Sequence, residues 1–199
     1  MFDLTTKYEN RKQEIKNRLE DFKKVKNNDI FYEFCFCLLT PQSNAIICDK
    51  AVQRLKQADF KNKNINPTKL ITGVRFHNSK AKYLIELKQK YSKIINKLKE
   101  SDDAKELRDF LTKEINGFGM KEASHFLRNI GHRNLAILDR HILKNLNKYN
   151  VIKEIPQSLT KNKYFEIEQK FKDFSKKVNI PMDELDLLFW SEQTGFVFK

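Results

Sequence analysis

Glycine, proline and cysteine are scarce in this chain, with five, four and three among 199 residues. So few breakers leave long uninterrupted segments, and apolar residues recur through them mostly at three- and four-residue spacing, an all-α pattern. Cys35, Cys37 and Cys48 are odd in number and include no Cys-x-x-Cys pair. On a helix, Cys35 and Cys37 would not face each other, so all three are expected to be reduced core residues. His77, His125, His132 and His141 are not spaced with the cysteines as a metal site. No phosphate-binding loop for nucleotides is present, and no organic cofactor is expected. No apolar run reaches the roughly 18 residues of a membrane span. The segment Met1-Phe2-Asp3-Leu4 lacks the basic-then-apolar layout of a signal peptide, so a cytoplasmic protein is expected.

What the chain has in excess is positive charge. Its formal net charge is +13, with 33% charged and 40% hydrophobic residues. That balance suits a globular protein with a polyanionic partner, usually nucleic acid, although lysine is also an ordinary occupant of solvated helix faces.

Punctuation divides the chain into roughly ten expected helices. A polar helix covers 5–25 and a strongly apolar one covers 29–39. Thr40-Pro41-Gln42-Ser43 interrupts, and the next helix runs from Asn44 to Lys56. Pro67 and Thr68 are expected to open a short helix ending near Gly73, and Ser79 to cap a long one reaching about Lys99. Others follow from Ser101 to Lys113, from Met120 to Ile130 with Gly131 as its stop, and from Arg140 to Asn147. The last two cover 160–178 and 181–194. The expected domains are 27–149, and a second lobe made of 1–26 with 150–199.

The most informative segment is Ile115-Asn116-Gly117-Phe118-Gly119-Met120-Lys121. Glycines two apart join two helices and leave backbone N–H groups uncovered at a helix N-terminus, a seat for phosphate. This is a helix-hairpin-helix. Lys121 falls in the first turn of the second helix, where the helix dipole and burial disfavour its ammonium form. A neutral amine there can attack an electrophilic carbon and form a Schiff base. Taken alone, Lys121 also reads as a phosphate contact or a solvated lysine. The apolar run Leu135-Ala136-Ile137-Leu138 then delivers Asp139. That carboxylate can cap the following helix, stabilise positive charge developing on a sugar ring, or do both.

Gly117-Phe118-Gly119-Met120-Lys121 followed by Leu138-Asp139 resembles the helix-hairpin-helix DNA glycosylases. Leu39-Thr40-Pro41-Gln42-Ser43, Gly73-Val74-Arg75-Phe76-His77-Asn78 and Lys199 narrow the resemblance to the compact, archaeal-type 8-oxoguanine DNA glycosylase/lyases, over essentially the whole chain. The resemblance implies an all-α, two-lobed fold with a cleft between lobes, and a monomer acting on double-stranded DNA that contains 8-oxoguanine. It implies that Lys121 attacks C1′ and that Asp139 supports base loss and β-elimination. Gly117, Phe118 and Gly119 would grip phosphate, with room for a monovalent cation at the carbonyls of Lys113, Ile115 and Phe118. Gln42, Ser43 and Asn44 match the loop that enters the duplex when a base is flipped out, and Arg75, Phe76 and His77 the loop that meets the estranged base. Asp186, Trp190 and Lys199 would recognise the oxidised base.

Two alternatives remain at this stage. One is a glycosylase/lyase for another oxidised base, although many of these carry a C-terminal four-cysteine iron–sulfur motif and no cysteine follows Cys48. The other is a non-catalytic helix-hairpin-helix DNA-binding module, which leaves the joint presence of Lys121 and Asp139 unexplained. Adenine glycosylases of the fold generally lack the lysine.

Overall fold

The computed structural model describes residues 2–26 and 28–199, and among these it contains nine α-helices and no strand. The all-α expectation holds. The chain divides into two compact units, one of residues 25–126 and one of residues up to 24 together with 127–199.

The leading helix of the unit of residues 25–126 is α2 (Asn28–Leu39). Every residue of α2 from Phe31 to Leu39 is buried, as its near-continuous apolar sequence requires. It packs on α3 (Ala45–Gln57) and α4 (His77–Glu100), and α4 packs on α5 (Ala104–Glu114). Phe34 meets both Phe118 and Phe126, stacked on the latter. Phe31 meets Tyr91 edge-on, with centroids 5.1 Å apart. This aromatic core fixes the hairpin from beneath, through the side chain of Phe118.

In the other unit, α9 (Met182–Thr194) is the central element, with α1 (Phe2–Lys23), α7 (Arg140–Lys148) and α8 (Lys161–Val178) packed on it. Residues 182–189 of α9 are all buried, including Asp183, Glu184 and Asp186. Each buried carboxylate has a partner: Tyr8 Oη donates to Glu184, the Asn134 N–H to Asp183, and Arg128 to Asp186. Tyr149 stacks on Phe189 with centroids 5.6 Å apart.

Several boundaries differ from expectation. No helix forms at 67–73. The N–H groups of Leu70 and Ile71 both turn back to Pro67 O. Arg54 then takes the carbonyls of Leu70 and Thr72, at 2.6 and 3.0 Å, so those carbonyls have a partner without a helix. The long helix begins at His77, not at Ser79, because Phe76 adopts the left-handed conformation (φ 58°) and turns the chain into it without a side-chain cap. Asn44 caps α3 and does not belong to it, accepting from the N–H groups of Ile46 and Ile47. The domain division falls inside α6 (Met120–Asn129), after Phe126, and not after residue 149. Residues 127–149 group with the chain ends because their polar backbone is satisfied there. Glu168 accepts the Ala136 N–H at 2.8 Å, and Tyr164 Oη donates to Ala136 O. Residue 27, the start of one expected domain, lies outside the described residues.

Candidate active site

Gly117 makes the hairpin possible. Its φ is +88°, and a Cβ there would meet the Tyr83 ring at 2.8 Å, so a side chain is excluded by conformation and by space. The Phe118 N–H closes the turn on Ile115 O at 3.1 Å. Gly117 and Gly119 are exposed while Phe118 is buried. The Gly119 N–H is not uncovered as expected. Glu122 Oε2 accepts it at 3.0 Å, a side chain at the third helical position reaching back to cap α6.

The other oxygen of Glu122 holds the Lys121 ammonium, with Nζ to Oε1 at 2.9 Å. Lys121 is 26% exposed and Glu122 13%. One carboxylate therefore ties the amine to the hairpin. Such an arrangement presents a fixed nitrogen beside the hairpin and gives it an adjacent proton acceptor.

Two loops of the same unit carry the other expected DNA contacts. Gln42 (φ 55°) and Asn44 are exposed, and Ser43 is half-buried. Arg75 and Phe76 are exposed, His77 is partly so, and the Arg75 guanidinium lies over the Phe76 ring at 4.9 Å. Between them sits Lys80, which sequence reasoning missed. It is buried, and its Nζ donates to Leu39 O, Pro41 O and Ser43 Oγ. Burial pulls Lys80 down to about 8, and the charges of Lys121 and Arg75 act in the same direction. Its signal was the register shared with Leu84 and Leu87, which marks the buried face of α4.

Asp139 belongs to the other unit. Its Oδ1 accepts the N–H groups of His141 at 2.7 Å and Ile142 at 2.8 Å, so it does cap α7. The run that delivers it is clamped by Tyr164 and Glu168, one turn apart on α8. Asp186 is buried and paired with Arg128, Oδ2 to Nη1 at 3.1 Å, and Arg128 lies over the Phe22 ring. Trp190, Phe196 and Phe198 form one aromatic cluster, and Lys199 lies half-buried beyond it. Among the described residues no group of three or more His, Cys, Asp or Glu side chains is placed to hold a metal ion.

Burial pushes the Asp186 carboxyl up to about 7, against the pull of Arg128 and helped by the charge of Asp139. The folded state then binds this proton more tightly than the unfolded chain, where the ordinary value is 3.8. The resulting stabilisation is complete below 3.8 and lost as the pH rises through about 7. Asp186→Asn should therefore gain stability relative to wild type between pH 4 and pH 8, as read by denaturant unfolding at both. A constant difference would mean that Arg128 keeps Asp186 ionised throughout.

A family model described as 8-oxoguanine DNA glycosylase matches residues 15–180. The chain is 44% identical to the 8-oxoguanine DNA glycosylase/AP lyase of Fusobacterium nucleatum, with 96% of this chain and 94% of that protein covered. It is 38% identical to the protein of the same name from Methanocaldococcus jannaschii, over 93% and 91%. Among solved structures, it is similar to the M. jannaschii 8-oxoguanine glycosylase/lyase in complex with a 15mer DNA containing 8-oxoguanine. The TM-score is 0.86 and the identity 35%, with all of both chains covered. The 8-oxoguanine DNA glycosylase of Thermotoga maritima gives a TM-score of 0.89 at 29% identity, covering 99% of this chain and 97% of that one. With the hairpin, its lysine and the match extending across nearly the whole chain, this protein belongs to the 8-oxoguanine DNA glycosylase family.

Proposed function

We propose that this protein excises 8-oxoguanine from double-stranded DNA and then cleaves the strand at the abasic site, with Lys121 as nucleophile. The observation that carries the reading is the Lys121 amine fixed to the hairpin through Glu122. After losing a proton, Nζ attacks C1′ of the damaged nucleotide. The bond from C1′ to the base nitrogen breaks, and the base leaves with the electron pair and takes up a proton. The sugar ring opens to an iminium, a C2′ proton is lost, and the C3′–O bond breaks with phosphate as leaving group. Asp139 stabilises the positive charge that develops on the sugar, and assists the proton transfers.

The hairpin backbone and the +13 net charge support binding to the phosphate backbone, with a monomer sufficient for the chemistry. Gln42, Ser43 and Asn44 occupy the space a flipped base leaves, and Arg75, Phe76 and His77 meet its former partner. A monovalent cation fits the hairpin. Ile115 O retains a lone pair beside its bond from Phe118, and Lys113 lies in the last turn of α5, where carbonyls lack helical donors. With the Phe118 carbonyl, these would hold the ion, which supplies positive charge next to the phosphate.

The half-buried tail reads the lesion through Trp190 and Lys199, together with Asp186 of the same helix as Trp190. 8-Oxoguanine carries an N7–H donor where guanine has a bare acceptor, so an acceptor near the base separates the two. Removing Lys199 should depress excision of 8-oxoguanine by about tenfold or more, the weight of one good hydrogen bond to the lesion. Cleavage at preformed abasic sites should fall less. Equal losses in the two assays would give Lys199 a structural role instead.

A further inference from the structure

Lys80 is a buried cation that the chemistry above does not use. Its ammonium has three donors, and they meet three acceptors: Leu39 O at 2.6 Å, Pro41 O at 2.7 Å and Ser43 Oγ at 3.0 Å. Ser43 Oγ also accepts the backbone N–H of Arg75 at 3.1 Å, and the hydroxyl bonds to Cys48. The Cys48 thiol in turn donates to Leu39 O at 3.1 Å. The result is a closed network joining the end of α2, the Gln42 loop, the start of α3 and the Arg75 loop.

Burying a lysine is unfavourable unless its charge is fully hydrogen-bonded, and an apolar side chain here would leave Leu39 O and Pro41 O without this donor. What the lysine adds is a fixed distance between two loops. Each loop carries a non-glycine residue in the left-handed conformation directly beside the network: Gln42 before Ser43, and Phe76 after Arg75. Such conformations persist only where the surroundings hold them, and both side chains so held are exposed.

We infer that Lys80 and Ser43 form a positioning node that sets the Gln42 loop and the Arg75–Phe76 loop in register, so that they enter the duplex as one rigid tool. The inference rests on the reading that these loops meet DNA. Lys80 is 5% exposed, so any effect of its replacement on DNA acts through the loops.

The test is the ratio of two single-turnover rates measured on the same variant: excision of 8-oxoguanine from duplex, and cleavage of a preformed abasic site in single-stranded DNA. Only the first requires a base to be extruded and its place filled. Lys80→Met and Ser43→Ala should each lower the ratio by about 10- to 100-fold, the usual effect of misplacing such groups by an ångström. Ser43→Thr, which keeps the hydroxyl, should restore most of it. If Lys80→Met does not fold, Lys80→Gln takes its place beside the Ser43 variants, because Ser43 itself lies in the loop read as entering the duplex. An unchanged ratio in Ser43→Ala, or a ratio that falls in Ser43→Ala but not in a folded Lys80→Met, would overturn the node. The double variant Arg75→Ala with Phe76→Ala separates the two layers. If it impairs duplex excision while the node variants do not, only the node fails; if it too leaves duplex excision unchanged, the reading of the loops as DNA contacts fails with it.

Discussion

Lys121→Gln should bind damaged duplex and release almost no base, with excision and strand cleavage both reduced by a factor on the order of 10³ or more, as for removal of other enzymatic nucleophiles. Glutamine is close to lysine in length and cannot form an imine. The fold should tolerate it. Lys121 is partly exposed and its partner is Glu122, a pair worth about 0–1 kcal/mol at such a site. Glu122 keeps its bond from the Gly119 N–H, so the hairpin cap survives. Both reactions should fall together, because base loss and β-elimination pass through the same nitrogen. A variant that lost strand cleavage but still released base at the wild-type rate would assign base loss to attack by water.

The second large effect is expected at Asp139, where two roles must be separated. Its carboxylate caps α7 through the His141 and Ile142 N–H groups. Asparagine is as good a cap as aspartate, so Asp139→Asn should unfold in denaturant at nearly the wild-type midpoint. Its single-turnover excision rate should nonetheless fall by about 10²- to 10⁴-fold, the range for loss of a group that handles protons in the transition state. Asp139→Ala should show the same catalytic loss together with a loss of roughly 1 kcal/mol of stability. A fully active Asp139→Asn would reduce Asp139 to a helix cap.

Much of this was legible in the sequence because it is local. Glycines two apart, a lysine in the next turn and an aspartate ahead of an apolar helix are patterns within a few residues, and the structure has a hairpin, a first-turn lysine and an N-cap in those places. What was not legible depends on partners far along the chain. Lys80 reads as one more lysine until Leu39 and Pro41 are seen around its nitrogen. Nothing near Asp186 in the sequence signals its pairing with Arg128, 58 residues away. Residues 67–73 carry proline and glycine in helix-boundary positions, yet Arg54 draws their carbonyls out of any helix. The domain boundary was misplaced because the hairpin helix continues from one unit into the next, and no composition change marks Phe126. Glu122 was the nearest miss. A glutamate three residues after a helix-capping position is a local signal, and here it also grips the Lys121 amine.

The most direct test is borohydride reduction during reaction with a duplex carrying one 8-oxoguanine opposite cytosine, using wild type and Lys121→Gln side by side. Hydride traps an imine as a stable amine, so wild type should give a covalent protein–DNA adduct and Lys121→Gln none. An adduct on an abasic or oxidised-pyrimidine duplex but not on 8-oxoguanine would contradict the substrate and keep the mechanism; no adduct on any of these duplexes would contradict the mechanism itself and leave a protein that binds DNA through its hairpin without cutting it.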